Sequence, residues 1–325
     1  MTWRALVLSG GGVKGEFQVG ALRCLVDRTD WTFDFFTGVS VGALNTAVLA
    51  QHPSLHDGVR DLEQFWDAVD RNDDVYTGSL TIGAIKALFT RGAIAADAIF
   101  NSNPLARLIA DHVTWDRFQR PFAVGVVSLT DGHYYAITND PDLLDAYRRP
   151  GQQLQLTLQT GVPGSIPDRI ADFVLASASM PLLFPPVDIY GHRFVDGGIR
   201  DVTPLSAAVK AARKAQDPDR QILVISTAPE HLPYRSHRLL NSGLEIIERA
   251  LEIMVHEILE NDIRLCVKMN RWAARRRDIV RIDILHVRPP RSLHLGALDF
   301  DRHTQRQQAR QLGYETMQTV LDALA

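Results

Sequence analysis

The chain has 325 residues, of which 46% are hydrophobic and 22% are charged, the composition of an ordinary globular protein. Its formal net charge of −3 argues against nucleic acid as a partner, because nucleic-acid-binding domains usually carry a basic surface. The two cysteines, Cys24 and Cys266, exclude a disulfide framework and a metal site built on cysteine spacing, which suits a reducing compartment.

Two strand–turn–helix units open the chain. The apolar residues 5–8 predict a strand that runs into a glycine-rich stretch at 9–15, and a helical pattern follows. Residues 33–37 predict a second strand, which leads into a Gly-x-Ser-x-Gly turn and an apolar helix. The first turn offers backbone amides and the second offers a serine. This pairing suggests an oxyanion hole beside a nucleophile, and the base must come from elsewhere.

The remaining pattern alternates helices with short buried strands. We predict broken helices over 57–112, the stretch most suited to a lid, and further helices at 172–179, 203–215, 240–272 and 304–324. We predict strands at 122–127, 133–138, 154–158, 187–190, 192–195, 221–227 and 279–287. Asp97 is a candidate N-cap. The pattern predicts an α/β fold, a single three-layer domain over 1–325, whose central, mostly parallel sheet has helices on both faces. The helices of 240–325 would pack on the part that carries the motifs, residues 4–230.

No stretch of the sequence resembles a targeting or membrane-spanning segment. A leader of charged then apolar residues is absent, as is an apolar run of about 18 residues. We therefore expect a cytoplasmic protein, with peripheral contact at a membrane surface left open. The basic helix end at 271–277 could touch anionic lipid head groups. A solvated helix terminus whose cations match the helix dipole is the simpler interpretation.

The first motif that carries chemistry is Gly38-x-Ser40-x-Gly42. A serine between a strand end and a helix start lies on a tight turn, and Gly38 and Gly42 let that turn approach neighbouring backbone. The helix amino terminus behind it favours developing negative charge. The alternative is a helix N-cap serine with no chemical role.

The second motif is the glycine-rich loop after the first strand. Its candidate oxyanion-hole residues are Gly10, Gly11, Gly12, Lys14 and Gly15. Glycines could orient backbone N–H groups toward an anion. The simpler interpretation is a tight turn with no binding role. The Gly-x-Gly-x-x-Gly spacing also matches a dinucleotide fingerprint, although the expected acidic residue is only weakly supplied by Asp30 or Asp34. The Gly-Lys-Ser/Thr ending of a phosphate loop is absent.

The third motif is Asp196-Gly197-Gly198, at the end of a predicted strand. An aspartate before two glycines is commonly a turn residue. With Asp201 nearby, the stretch offers two carboxylates, of which only one needs to take part in catalysis.

With these three motifs in order, the chain resembles the patatin-like phospholipases of bacterial type. Members of that family carry a glycine-rich oxyanion loop, a Gly-x-Ser-x-Gly serine and an Asp-Gly-Gly/Ala aspartate. The stretch 176–181, Phe184-Pro185-Pro186 and Asn103-Pro104-Leu105 are also similar to the family. The resemblance is close over about 4–230 and looser beyond. Ser9 departs from the plant members, which have aspartate there.

The resemblance implies a lipid acyl hydrolase of phospholipase A, lysophospholipase or esterase type, without metal or cofactor. It implies a Ser–Asp dyad without histidine, in which Ser40 is the nucleophile and Asp196 the base. The N–H groups of Gly11 and Gly12 would hold the oxyanion, Lys14 would support the loop, and Gly197 and Gly198 would flank the base. Since a free aspartate is a poor base at pH 7, partial burial of Asp196 would improve it.

Three alternatives compete with the dyad. A Ser-His-Asp triad could draw on His256, His286 or His294, although Ser40 comes too early in the chain for an α/β-hydrolase. A dinucleotide-binding oxidoreductase would use the glycine loop but leave Ser40 and Asp196 unexplained. A non-catalytic lipid-binding protein could keep the fold, although three intact motifs argue against it.

Overall fold

The computed structural model describes residues 2–78, 98–234, 243–273 and 280–325. The strands in these ranges are β1 (Trp3–Leu8), β2 (Phe35–Gly38), β3 (Phe122–Ser128), β4 (Tyr134–Thr138), β5 (Val187–Ile189), β6 (His192–Asp196), β7 (Arg220–Ile225) and β8 (Asp283–Val287). The helices are α1 (Glu16–Arg28), α2 (Val41–Ala50), α3 (Leu55–Asp67), α4 (Asn103–His112), α5 (Pro141–Ala146), α6 (Ile170–Ser177), α7 (Leu205–Lys214), α8 (Gly243–Ala273) and α9 (His303–Asp322).

All these strands belong to one mixed sheet. Its order is β5-β6-β3-β2-β1-β7-β8, and β4 pairs with β3 off this path. The pairs β3–β2, β2–β1, β1–β7 and β7–β8 are parallel, whereas β3–β4, β3–β6 and β5–β6 are antiparallel. This confirms the α/β prediction of a central, mostly parallel sheet.

The core lies on both faces of the sheet. Alternate residues of a strand point to opposite faces, so Leu6 and Leu8 of β1 pack in one core, with α1, α2, α3, α6 and α9. Ala5 and Val7 pack in the other, with α5 and α7. The near-continuous apolar sequence of β1 follows from its central position, since both of its faces are covered.

Two strands, β2 and β6, pair with successive parts of the same edge of β3. Gly38, the last residue of β2, pairs with Val124, and Asp196, the last residue of β6, pairs with Val126. Since β2 is parallel to β3 and β6 is antiparallel to it, the two strands approach along this edge from opposite directions. The turn after β2 and the carboxylate at the end of β6 therefore meet, although about 150 residues separate them in sequence.

The last helix is packed tightly against the first. A Cβ atom on Gly313 of α9 would overlap the Phe17 carbonyl oxygen of α1, and one on Gly20 would overlap the Arg310 carbonyl oxygen. The glycines therefore bring the two backbones into contact. Within the described ranges, the longest helices are too polar to cross a membrane.

Most predicted elements form within a few residues of their predicted bounds, but one prediction is wrong. Residues 154–158 do not join the sheet as a strand; Thr157 bridges only to Ser165 of its own loop. At the neighbouring edge of β4, the Gln152 side chain donates to the Tyr134 carbonyl at 3.1 Å. The alternating leucines instead pack on the core from a loop. The predicted Asp97 N-cap and the helical pattern at 82–89 lie outside the described residues.

Candidate active site

The turn between β2 and α2 holds Ser40 in a strained conformation. Its φ is 56° and its ψ is −130°, a region that residues with a side chain seldom adopt and that costs of order 1–3 kcal/mol. A Cβ atom on Gly38 would overlap the Gly42 carbonyl oxygen, and one on Gly42 would overlap the Leu8 carbonyl oxygen. Both glycines are thus required for the sharp turn predicted from the sequence.

The Ser40 hydroxyl lies beside the Asp196 carboxylate and stabilises its charged form. Asp196 is 3% exposed, and its Oδ1 accepts a hydrogen bond from Gly198 N–H at 2.7 Å. Burial raises the pKa of Asp196 to about 7, against the lowering effects of the Gly198 N–H and the Ser40 hydroxyl. The carboxyl group can therefore exchange a proton near neutral pH. A Cβ atom on Gly197 would overlap the Gly125 carbonyl oxygen, which explains the first glycine after the base.

The glycine-rich loop lies beside the serine turn. The closest atom to a Cβ built on Gly10 would be Ser40 Cβ, at 3.0 Å. Gly10 N–H donates to the Val202 carbonyl at 3.2 Å, and Lys14 N–H donates to the Gly11 carbonyl at 3.3 Å. Among the described residues, the Gly11 and Gly12 amides have no hydrogen-bond partner. These two N–H groups are the ones available to a bound oxyanion.

The other loop residues have different surroundings. A Cβ atom on Gly15 would lie 2.7 Å from both Trp66 and Val41, so this glycine allows the helix to pack closely. Lys14 belongs to the short 3-10 turn Gly12–Gly15. Of the five residues predicted for the oxyanion loop, Gly11 and Gly12 are thus the candidates with a free N–H group among the described residues.

Residues distant in sequence fix the conformation of this loop. Ser9 Oγ accepts from Thr227 N–H at 3.0 Å, and Thr227 Oγ1 donates to the Gly10 carbonyl at 2.6 Å. Gly12 has a φ of 59°, and a Cβ atom on it would overlap the Ala297 carbonyl oxygen. Ser9, which departs from the plant pattern, thus anchors the loop to the residues that follow β7.

A buried chain of polar side chains links the helices behind the two turns. Gln18 of α1 donates to the carbonyls of Ser9 and Ile225. Asn45 of α2 donates to Gln18 Oε1 at 2.9 Å, and Trp66 of α3 donates to Asn45 Oδ1 at 2.9 Å. Every step has a donor and an acceptor, which buried polar groups need. The network keeps the helices that begin at the glycine loop and at Ser40 in fixed relation.

Ser177 is a site residue to which sequence reasoning gave no role. Its Oγ accepts from the Ser40 backbone N–H at 3.1 Å and donates to the Gly125 carbonyl at 2.8 Å. It therefore ties the serine turn to β3. The family-like stretch 176–181 contained it, but no local pattern distinguished its hydroxyl from that of Ser179.

An apolar pocket of about 70 Å³ opens beside Ser40 and Gly12. Its walls are almost entirely aliphatic and aromatic side chains, namely Val41, Leu44, Phe65, Trp66, Val69, Val75, Leu105, Leu108, Ala178, Met180, Leu183, Phe184, Ala297, Leu298 and Phe300. The hydroxyl of Ser40 is thus next to a surface that suits an alkyl chain.

Two of the three histidines of the alternative triad, His256 and His286, have hydrogen-bond partners elsewhere. His286 Nε2 lies 2.8 Å from Ser226 Oγ, and burial lowers its pKa to about 4. His256 Nε2 contacts the carbonyls of Pro229 and Glu230. Among the described residues that line the Ser40 pocket, no histidine occurs.

The acidic residue of the dinucleotide fingerprint is at the wrong end of the sheet. Asp34 Oδ2 accepts from Arg4 N–H at 2.9 Å, where β1 and β2 begin. A ribose-binding carboxylate is needed at the carboxyl ends of these strands, next to the glycine loop. This position removes the support for the dinucleotide alternative.

The solved structures that are similar to the chain share little sequence identity with it. No curated protein matches the chain significantly. VipD from Legionella pneumophila has 16% sequence identity and a TM-score of 0.44, over 99% of this chain and 67% of VipD. The ExoU–SpcU complex of the type III secretion system of Pseudomonas aeruginosa has 13% sequence identity and a TM-score of 0.35. The match covers 99% of this chain and 51% of that chain. Human GIVD cytosolic phospholipase A2 has 12% sequence identity and a TM-score of 0.29. The match covers 70% of this chain and 43% of that chain.

The sequence profile of the family described as patatin-like phospholipase matches residues 6–209. This range is more than half of the chain and includes the glycine loop, the Ser40 turn and the Asp196 turn. The chain belongs to the patatin-like phospholipase family and so to the lipid ester hydrolases.

Proposed function

We propose that the protein is a lipid acyl hydrolase that cleaves carboxylic esters through a Ser40–Asp196 dyad and an acyl-enzyme intermediate. The observation that carries this proposal is the position of the Ser40 hydroxyl beside a buried carboxylate whose pKa is about 7. A nucleophile and its base need this contact, and a base is most effective when its pKa is close to the working pH. Family membership supports lipid esters as the substrate class.

In the acylation step, Asp196 accepts the proton of the Ser40 hydroxyl while Oγ attacks the ester carbonyl carbon. The N–H groups of Gly11 and Gly12 stabilise the resulting oxyanion, and a single such donor is typically worth about 2.7–4 kcal/mol. Collapse of the tetrahedral intermediate breaks the bond to the leaving alcohol, which takes the proton from Asp196. The acyl group remains on Ser40.

In the deacylation step, water takes the place of the alcohol. Asp196 accepts one proton of the water while its oxygen attacks the acyl carbonyl carbon. The second tetrahedral intermediate releases the carboxylic acid, and Ser40 Oγ recovers its proton from Asp196. One ester and one water thus give one alcohol and one acid, and the dyad returns to its initial state.

The pocket supports an alkyl chain on the acyl side of the ester. Ser40 lies at a wall of apolar side chains that includes Phe65, Leu105 and Phe184. We propose phospholipase A, lysophospholipase or esterase activity on such chains, with peripheral contact at a lipid surface when the substrate is a membrane lipid. No metal or other cofactor enters the proposed steps.

The dyad is tested by ester hydrolysis with single substitutions in the full chain. Ser40→Ala and Asp196→Asn should each abolish release of p-nitrophenol from a medium-chain ester and of fatty acid from a panel of lipids. A fluorophosphonate probe should label the unmodified chain at Ser40 and leave Ser40→Ala unlabelled. Ser54→Ala is the matched control, because Ser54 caps α3 and should leave turnover unchanged.

Other outcomes would favour the alternatives. Hydrolysis that survives in Asp196→Asn contradicts the dyad, and loss of activity on replacing His256, His286 or His294 would revive the triad. If no lipid is hydrolysed but vesicles of the same lipids are bound, the chain is a binding protein of this fold.

A further inference from the structure

A second cavity, of about 520 Å³, lies between α7, α8 and β8. This size is within the range of about 300–1,000 Å³ usual for small-molecule sites. Leu205 and Ile282, which line it, belong to the core on the other face of the sheet from the Leu6–Leu8 core that contains the Ser40 pocket residues. The cavity is thus separate from the proposed active site.

Part of the lining of this cavity is apolar. The apolar side chains are Val209 of α7, Leu265 and Met269 of α8, and Ile282 and Ile284 at β8. Leu265 is 56% exposed, so this lining remains open to solvent. An alkyl chain placed here would remove apolar surface from water, at about 25 cal/mol per Å².

Cations surround the same cavity. Arg149, Arg200, Lys210 and Arg213 line it. Within the part of the chain that the structure describes, none of the four has a carboxylate within 4 Å, which contrasts with Lys214, paired with Asp142 at 3.3 Å. Lys210 Nζ lies 3.4 Å from the centroid of the Tyr147 ring. Arg149 Nη1 donates to the Ala146 and Arg148 carbonyls at 3.0 Å, so Arg200, Lys210 and Arg213 are the cations most available to an anionic group.

Two carboxyl groups, Asp201 and Asp262, also line the cavity. Burial raises the pKa of Asp201 to about 7 and that of Asp262 to about 6. Asp201 Oδ1 is wholly buried and has no hydrogen-bond partner among the described residues. Protonation of Asp201 near neutral pH would lower the negative charge that an anionic ligand meets in the cavity.

We propose that this cavity binds an anionic amphiphile, a molecule with one long alkyl chain and a carboxylate or phosphate head group. The chain lies along Val209, Leu265 and Ile284, and the head group takes hydrogen bonds from Lys210 and its neighbouring arginines. The site is distinct from the Ser40 pocket, and its occupancy does not require that Ser40 be catalytic.

The site is tested by equilibrium binding to the full chain with Ser40→Ala, which prevents turnover of the ligands. A dansylated undecanoic acid reports occupancy by fluorescence. Oleate and oleoyl lysophosphatidic acid should displace it and so separate the two head groups. Oleyl alcohol and an oleyl trimethylammonium salt should displace it much less well. Preferential displacement by the cationic amphiphile would overturn the proposal.

Matched variants distinguish this cavity from the Ser40 pocket. Lys210→Ala should weaken binding about tenfold or more, the loss expected for a hydrogen bond to a charged group. Lys214→Ala, on the same helix but outside the cavity, should leave binding unchanged. Val209→Trp should fill the cavity and abolish binding, whereas Leu183→Trp should obstruct only the Ser40 pocket. Binding that is lost in Leu183→Trp and kept in Val209→Trp would refute the second site.

Discussion

The Asp196 carboxyl is buried beside the Ser40 hydroxyl and accepts a hydrogen bond from Gly198 N–H. Burial raises its pKa from the ordinary 3.8 to about 7. Between these pH values the folded protein holds a proton that the unfolded chain has released, so stability falls as the pH rises through this window. At about 1.36 kcal/mol per pKa unit, the loss is on the order of 4 kcal/mol by pH 8. The charge that the proposed mechanism needs therefore destabilises the fold.

Asp196→Asn should separate stability from activity. The variant should lose hydrolysis yet have a larger free energy of unfolding than the unmodified chain at pH 8, with little difference near pH 4. Urea unfolding at the two pH values measures this, and kcat/KM of the unmodified chain should rise through pH 7. Asp188→Asn, at a carboxylate that is 74% exposed, is the control. An equal loss of stability in Asp196→Asn at both pH values would contradict the assigned pKa.

At the scale of elements, the site depends on contacts that cross between β2, β3, β6 and α6. Ser177, the last residue of α6, receives the Ser40 N–H and donates to Gly125 in the middle of β3. The serine turn therefore has a support independent of its own glycines. Without this support, the strained backbone of Ser40 can relax and move Oγ away from Asp196.

Ser177→Ala should lower kcat by about tenfold or more with a smaller change in KM, since it leaves a backbone N–H without a partner and misplaces the nucleophile. Ser179→Ala is the matched control, because the Ser179 hydroxyl donates only to Leu175 one turn back on the same helix. Steady-state kinetics with a soluble ester give the two constants. If both variants show the same kinetics, Ser177 does not position Ser40.

The sequence predicted the parts of the site that are encoded locally. Gly38, Ser40 and Gly42 lie within one turn. The alternation of helices with short buried strands indicated a mostly parallel sheet. The roles of Ser177 and Thr227 depend on which strands pair, and no local pattern records that. The predicted strand at 154–158 failed for the same reason, because alternation identifies which side chains turn inward but not whether a partner strand has a free edge.

At the scale of the whole molecule, the carboxyl-terminal helix is part of the same unit as the motifs. Glu16 of α1 is 2% exposed and pairs with Arg306 at 2.9 Å and Arg310 at 2.7 Å, both on α9. Arg306 also donates to the carbonyls of Trp66, Val69 and Phe300. The family profile ends at residue 209, yet these contacts support our proposal that residues 1–325 form a single domain.

Glu16→Gln should destabilise the whole chain by about 3–5 kcal/mol, because it leaves the buried Arg306 without its counter-charge, whereas Arg310 keeps its pair with Asp67. Arg28→Gln removes a pair between the same two helices, Arg28–Asp322, which is largely exposed and should cost about 0–1 kcal/mol. Denaturant unfolding followed both by fluorescence and by loss of ester hydrolysis should give one transition. Two transitions would show that α9 and the motif-bearing part unfold separately.

The shared edge of β3 also bears on how the chain can change in length. β3 sets the distance between the end of β2 and the end of β6, because these ends pair with Val124 and Val126. The two valines are separated by roughly 7 Å at the usual rise of a strand. Among the described residues between α2 and β5, this spacing depends on β3 and on Ser177, which ties the serine turn to Gly125. Surface segments there can therefore lengthen or shorten between relatives, and new substrate-binding loops can be added, while the two reacting groups stay at the same spacing.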